Sequence, residues 1–250
     1  KQEPRNAQRA SARAERAFLP LWRSFIRNPG SRRFLWAVGL GTAAFNMQDI
    51  ILEPYGGEIL GLSVSATTVL TAILAGGALA AFFIAARILA RGADPYRVAA
   101  YGAVAGLPAF SAVIFAAPLE SEWLFRAGTL LIGFGGGLFA VGTLTAAMSM
   151  EKREHVGLAL GAWGAVQAGA AGLAIAGGGA IRDVVSSLAA SGLLGEALAT
   201  PATGYSFVYH VETYLLFATL IAIGPLVRPA TEARRERENP SQFGLADLPG

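Results

Sequence analysis

Few residues in this sequence have both the chemistry and the setting to do more than pack. In the run FNMQDIILEPYGGEILG, residues 45–61, Asn46, Gln48 and Asp49 lie within or beside a long apolar stretch. An ionisable group in such a setting is costly, and by default it marks a functional site with a partner. Arg126 sits toward the same end of another apolar stretch, so an Asp49–Arg126 pair is expected. The alternative is that each reaches a headgroup on its own. Pro54, Gly56 and Gly57 are expected to break the helix, leaving Glu53, Tyr55 and Glu58 at the surface.

Further along, GLALGAWGAVQAGAAG (157–172) sets Trp163 and Gln167 four residues apart, on one helix face. With small residues around them they form a groove with one aromatic plate and one amide. It either holds a flat apolar ligand or packs against another helix with one hydrogen bond. The two histidines are His155 and His210. Each offers an imidazole to the magnesium of a porphyrin, or does something plainer at an interface. No second His lies nearby to build a transition-metal site. The candidate cofactor contacts are therefore Gln48, Trp163, Gln167 and His210, and the other functional candidates are Asp49, Glu53, Tyr55 and Arg126. No metal or catalytic residue is expected. Without cysteine there is no thiolate nucleophile or ligand. No phosphate loop, HExxH or GxSxG occurs, nor an Asp cluster for a magnesium diphosphate. A non-enzymatic protein is expected.

These residues need elements to hold them, and the elements are read from hydropathy. Apolar residues make up 54% of the 250 and charged residues 15%, against about 25% charged in an average soluble domain. A bilayer core about 30 Å thick needs roughly 20 apolar residues per spanning helix. Six stretches meet or approach this: 34–52, 67–90, 97–117, 123–148, 156–181 and 205–227. Helices are the fitting element, because a spanning segment must satisfy its own backbone and no barrel-like alternation is present. Of the 20 Lys and Arg, 18 fall on one alternating set of connections and the two ends. By the positive-inside rule that set is cytoplasmic, and an even number of spans puts both ends there.

The expected organisation is a basic linker with an interfacial helix at 1–33, a six-helix transmembrane unit at 34–227 and a cytoplasmic tail at 228–250. Within the linker, Phe18, Leu21, Trp22, Phe25 and Ile26 fall near one helical face beside arginines, which fits a helix lying in the membrane interface. The basic flanks fit anionic lipid better than nucleic acid, so no nucleic-acid partner is expected. The 182–204 connection is expected to form a short exposed cap. Gly102 and Gly106, Gly133 and Gly137, and Gly157 and Gly161 are spaced for close helix packing. The sequence opens on Lys1 rather than Met, as a fragment or processed piece would.

Several blocks together resemble a known family: QDIILEPYGGEILG, TTVLTAILAGGALAAF, ARGADPYR, FAAPLES, IGFGGGLFAVGTLTAAM, GLALGAWGAVQA and GGAIRD. They are similar to the PucC/LhaA proteins, the bacteriochlorophyll delivery family of major-facilitator-like proteins, over about residues 28–227. ARGADPYR also resembles, in degraded form, the signature between the second and third helices of a major-facilitator half. The resemblance implies an all-α polytopic bundle corresponding to the second half of a twelve-helix protein. Its partner is then an N-terminal six-helix half, or a homo-oligomer. It implies assembly of light-harvesting complexes in the intracytoplasmic photosynthetic membrane of a bacterium, handling bacteriochlorophyll transiently, nascent antenna polypeptides, or both. A secondary transporter of a small solute or pigment precursor is the alternative. On a major-facilitator half, Gln48, Asp49, Arg126, Trp163 and Gln167 would turn toward one interior.

Overall fold

The computed structural model describes residues 19–149 and 153–227, with side chains for 19–149 and 156–227. The expected tails at 1–16 and 229–250, and the side chains of Lys152 and His155, lie outside the described residues. Within them the chain is helical, without strands. The helices are α1 (19–27), α2 (Pro29–Asn46), α3 (Leu52–Glu58), α4 (Val64–Ala90), α5 (Pro95–Ala116), α6 (Glu122–Met148), α7 (Arg153–Ala190) and α8 (Thr203–Ile223). A 3₁₀ turn, Met47–Ile50, links α2 to α3. Six helical segments are long and apolar enough to cross a membrane, the first being the composite Pro29–Glu58.

The helix starts are written locally. Asn28, Ser63, Asp94 and Ser121 each accept a backbone N–H of the helix they precede, meeting donors that a helix N-terminus leaves free. Pro29 and Pro95 occupy first-turn positions, where no donor is needed. Arg33, near the start of α2, donates to the Ala222 and Ile221 carbonyls at 3.0 and 3.2 Å, so the end of α8 lies beside the start of α2. At the opposite end, Arg182 of α7 meets Glu58 of α3.

Glycine decides which helices touch most closely. A Cβ on Gly133 would overlap the Leu74 main chain, and one on Gly77 the Leu130 carbonyl, so α4 and α6 meet backbone to backbone. Gly102 and Gly135 do the same for α5 and α6. Gly157 and Gly161 do not follow this pattern: a Cβ at either meets nothing within 4 Å. Their helix, α7, is mostly uncovered within this chain, with 17% of its most apolar window buried. Large apolar side chains such as Trp36, Leu79, Phe83 and Ile221 point outward, as lipid-facing positions do.

Three expected boundaries shift. The 182–204 connection does not begin at 182, because α7 continues to Ala190. No Gly or Pro interrupts residues 181–190, and the Arg182 charge is met by Glu58. The cap after it is a 3₁₀ turn, Glu196–Leu198, entered through Gly192 and Gly195 at φ 76° and 86°. The Pro54, Gly56 and Gly57 break is also absent. Pro54 falls in the first turn of α3, where its missing N–H costs nothing, and both glycines stay helical. Finally, α1 is helical as expected, but Phe25 is buried against Phe34, Val38 and Ala146. It docks on the bundle end, with Trp22 and Ile26 half-buried beside it.

Candidate functional site

The end of α2 carries most of the polar candidates, and the 3₁₀ turn aims them. Tightening the helix at Met47–Ile50 sends Gln48 inward, 1% exposed, while Asp49 stays exposed. The Gln48 amide donates to Asp49 Oδ1 at 2.6 Å and to the Phe45 carbonyl at 3.5 Å. Asn46 turns back to the Thr42 carbonyl at 2.7 Å. Together with Gln167 of α7, these residues line a groove of about 260 Å³. Its far wall is α4 and α6, with Phe82, Gly133, Gly136 and Gly137, and Phe45 and Phe139 complete the aromatic surface. Bare backbone at the glycines leaves room there.

Two candidates do not reach this groove. Arg126 does not pair with Asp49. It is held by Glu122 one turn earlier at 2.9 Å and lies over the Trp123 ring. An i,i+4 carboxylate on its own helix is within reach whatever the neighbouring helices do. Trp163 is not the groove's aromatic plate. Its indole N–H donates to Thr143 Oγ1 at 3.1 Å, and Thr143 donates on to the Phe139 carbonyl at 2.9 Å. The indole therefore fastens α7 to α6, and Gln167 alone of the pair faces the groove.

Tyr55 is not at the surface. It is fully buried, donates to the Val113 carbonyl at 3.1 Å, and its ring touches Phe125, Tyr205 and Tyr209. Because α3 does not break, Tyr55 keeps its helical position facing α5 and α8. Glu53 is exposed as expected and accepts from Thr71 Oγ1 at 2.7 Å. Glu58 accepts from the Tyr205 hydroxyl at 2.5 Å and from Arg182 at 2.7 Å, and Arg182 also donates to Tyr205 and Asp183. This Glu58–Arg182–Tyr205 corner is an ionic link between helices among the described residues, at a different place from the expected Asp49–Arg126 pair.

His210 belongs to a second cavity, at the Glu58 end. About 850 Å³ in volume, it is lined mainly by apolar side chains, including Ile59, Pro118, Leu188 and Phe207. The His210 Nδ1 lies 2.7 Å from the Ser206 carbonyl. A carbonyl only accepts, so Nδ1 carries the hydrogen, and in the neutral ring Nε2 keeps its lone pair.

One buried group stands apart from all these candidates. Glu212 of α8 is wholly enclosed, and neither carboxyl oxygen has a hydrogen-bond partner. The Tyr209 hydroxyl and Gln48 Oε1 are also buried without one. The legible signal was Tyr205, Tyr209 and Glu212 at i, i+4 and i+7, one face of α8, within a span taken only as apolar.

A family model described as PUCC protein matches residues 1–231. The chain is 50% identical to Protein PucC of Cereibacter sphaeroides over 236 residues, 94% of this chain and 50% of that protein. It is 53% identical to Protein PucC of Rhodovulum sulfidophilum over 181 residues, 72% of this chain and 40% of that one. A more distant relative is the bacteriochlorophyll synthase 44.5 kDa chain of Rhodobacter capsulatus, 30% identical over 206 residues, 78% of this chain and 45% of the relative. The chain spans about half the length of the curated relatives it matches. No solved structure matches it.

Proposed function

The chain belongs to the PUCC protein family, and from that premise we propose that it is a membrane assembly factor for bacterial light-harvesting complexes. It handles bacteriochlorophyll, nascent antenna polypeptides or both, in the intracytoplasmic photosynthetic membrane, with both ends cytoplasmic. The observation that carries this reading is the family match over residues 1–231.

The chain's own residues support the pigment part. A metallated tetrapyrrole is a flat apolar disc, and a protein that holds one would supply a nitrogen donor to the metal and a shaped apolar wall. His210 has that form: Nε2 is left free by the Nδ1 hydrogen bond, within an apolar cavity of about 850 Å³. When bound, bacteriochlorophyll would bring its magnesium as the Lewis acid. The protein's part is to hold the imidazole in one tautomer and exclude water. Phe207 and Leu188 would cover the ring.

The six helices are read as one half of a major-facilitator-like fold, completed by an N-terminal six-helix half or a second copy. The uncovered glycine positions of α7 and the groove of Gln48, Asp49 and Gln167 are the surfaces such a partner would cover. The test has two arms. Deleting the gene is expected to remove antenna complexes while pigment synthesis continues, and normal antenna levels would refute the assembly role. Protein purified gently from the native membrane is expected to carry bacteriochlorophyll absorption that His210→Ala removes. Retention of the full pigment signal in that variant would refute His210 as the ligand.

A further inference from the structure

Glu212 sits among apolar helices with both carboxyl oxygens enclosed and neither in a formed hydrogen bond, the Gln48 backbone N–H being a donor beside it. We propose that Glu212 is an exchangeable proton-binding site, reached from the Glu58 end of the bundle through Tyr205, Tyr55 and Tyr209. An ionised carboxylate enclosed away from water with no cation beside it is strongly disfavoured. Among the described residues no Lys, Arg or His pairs with Glu212. The Gln48 amide cannot rescue it, since its N–H₂ is committed to Asp49 Oδ1 and the Phe45 carbonyl. What Gln48 leaves over is an acceptor, Oε1, buried without a partner. A proton on Glu212 removes the charge, and a neutral carboxyl is buried at far lower cost.

The surroundings place tyrosines between Glu212 and the Glu58 end. Tyr205, Tyr209 and Glu212 form one stripe along α8, and Tyr55 of α3 touches both tyrosine rings, at 5.3 and 5.7 Å between centroids. Tyr205 is in turn hydrogen-bonded to Glu58, whose side chain is 59% exposed. Hydroxyls both donate and accept, but these are not joined in one hydrogen-bonded chain, since Tyr55 donates to the Val113 carbonyl and the Tyr209 hydroxyl has no partner; passage of a proton requires both to turn. The titratable groups around Glu212 are Asp49 on the 3₁₀ turn, Tyr55 on α3, Tyr205 and Tyr209 on α8, and the Glu58–Arg182 pair at the mouth.

The test is infrared spectroscopy on the full-length protein in lipid nanodiscs. A carboxylic-acid carbonyl band is expected that moves on transfer to D₂O, disappears in Glu212→Gln and persists in Asp49→Asn. Tyr209→Phe is expected to keep the band but slow its D₂O shift by about tenfold or more. If Glu212→Gln removes no acid band, or if the band never moves in D₂O, the site is not an exchangeable proton site. If Tyr209→Phe exchanges as fast as the unaltered protein, the route is overturned, whether or not Glu212→Gln folds.

Discussion

Gly133→Ala sets the close approach of α4 and α6 against a matched control on α7. The new methyl carbon would overlap the Leu74 carbonyl oxygen and lie 2.8 Å from its carbon. Both are main-chain atoms, so no flexible side chain can swing aside and the two helices must part. Overpacking of this kind costs about 1–3 kcal/mol, and a main-chain collision belongs at the upper end. Alanine returns about 1 kcal/mol through its higher helix propensity. The net loss is then about 2 kcal/mol, roughly a thirtyfold fall in the folded-to-unfolded ratio. Gly161→Ala has the opposite sign. Nothing lies within 4 Å of the added carbon, so the propensity gain of up to about 1 kcal/mol stands alone. The assay is SDS-titrated unfolding in mixed micelles followed by helical circular dichroism. Equal destabilisation by the two variants, or none by Gly133→Ala, would refute backbone contact as the basis of the α4–α6 seam. If a partner covers α7, Gly161→Ala will weaken co-purification of that partner while leaving this bundle stable.

Replacing Arg182 with Leu should cost about 1 kcal/mol in the same titration, since the pair is partly exposed and the change also frees Tyr205. Glu58→Gln in that background should add little, which a double-mutant cycle checks. Asp49→Asn and Arg126→Gln should be additive to within about 0.5 kcal/mol, because Arg126 is held by Glu122; a larger coupling would restore the pair across the bundle. Trp163→Phe should destabilise by about 1 kcal/mol through loss of the Thr143 hydrogen bond, and it should leave pigment content unchanged if His210 is the ligand.

The candidate residues show why a site is harder to read than a span. Gln48, Asp49 and Gln167 share a groove because a 3₁₀ turn rotates the end of α2, and nothing in the local sequence reports a change from 3.6 to 3 residues per turn. Tyr55 was misplaced because Pro54 and two glycines carry a breaker signature. Whether a proline breaks a helix depends on where the helix starts, and here it starts at Leu52. Glu212 was passed over because one acidic residue in an apolar run can be read as snorkelling until the neighbouring helices are seen to enclose it.

Lipid as solvent explains what the chain alone determined. Each spanning helix closes its own backbone hydrogen bonds, so span number, all-helical class and capped starts at Asn28, Ser63, Asp94 and Ser121 follow from local composition. Family membership was legible for a similar reason, since its blocks are continuous runs. Side-chain partners across the bundle depended on how helices distant in sequence meet. Arg182 chose Glu58 and Tyr205, and Trp163 chose Thr143, whereas Arg126 was held within its own helix by Glu122. The interhelical choices turn on the rotation and spacing of whole helices, which no single segment encodes.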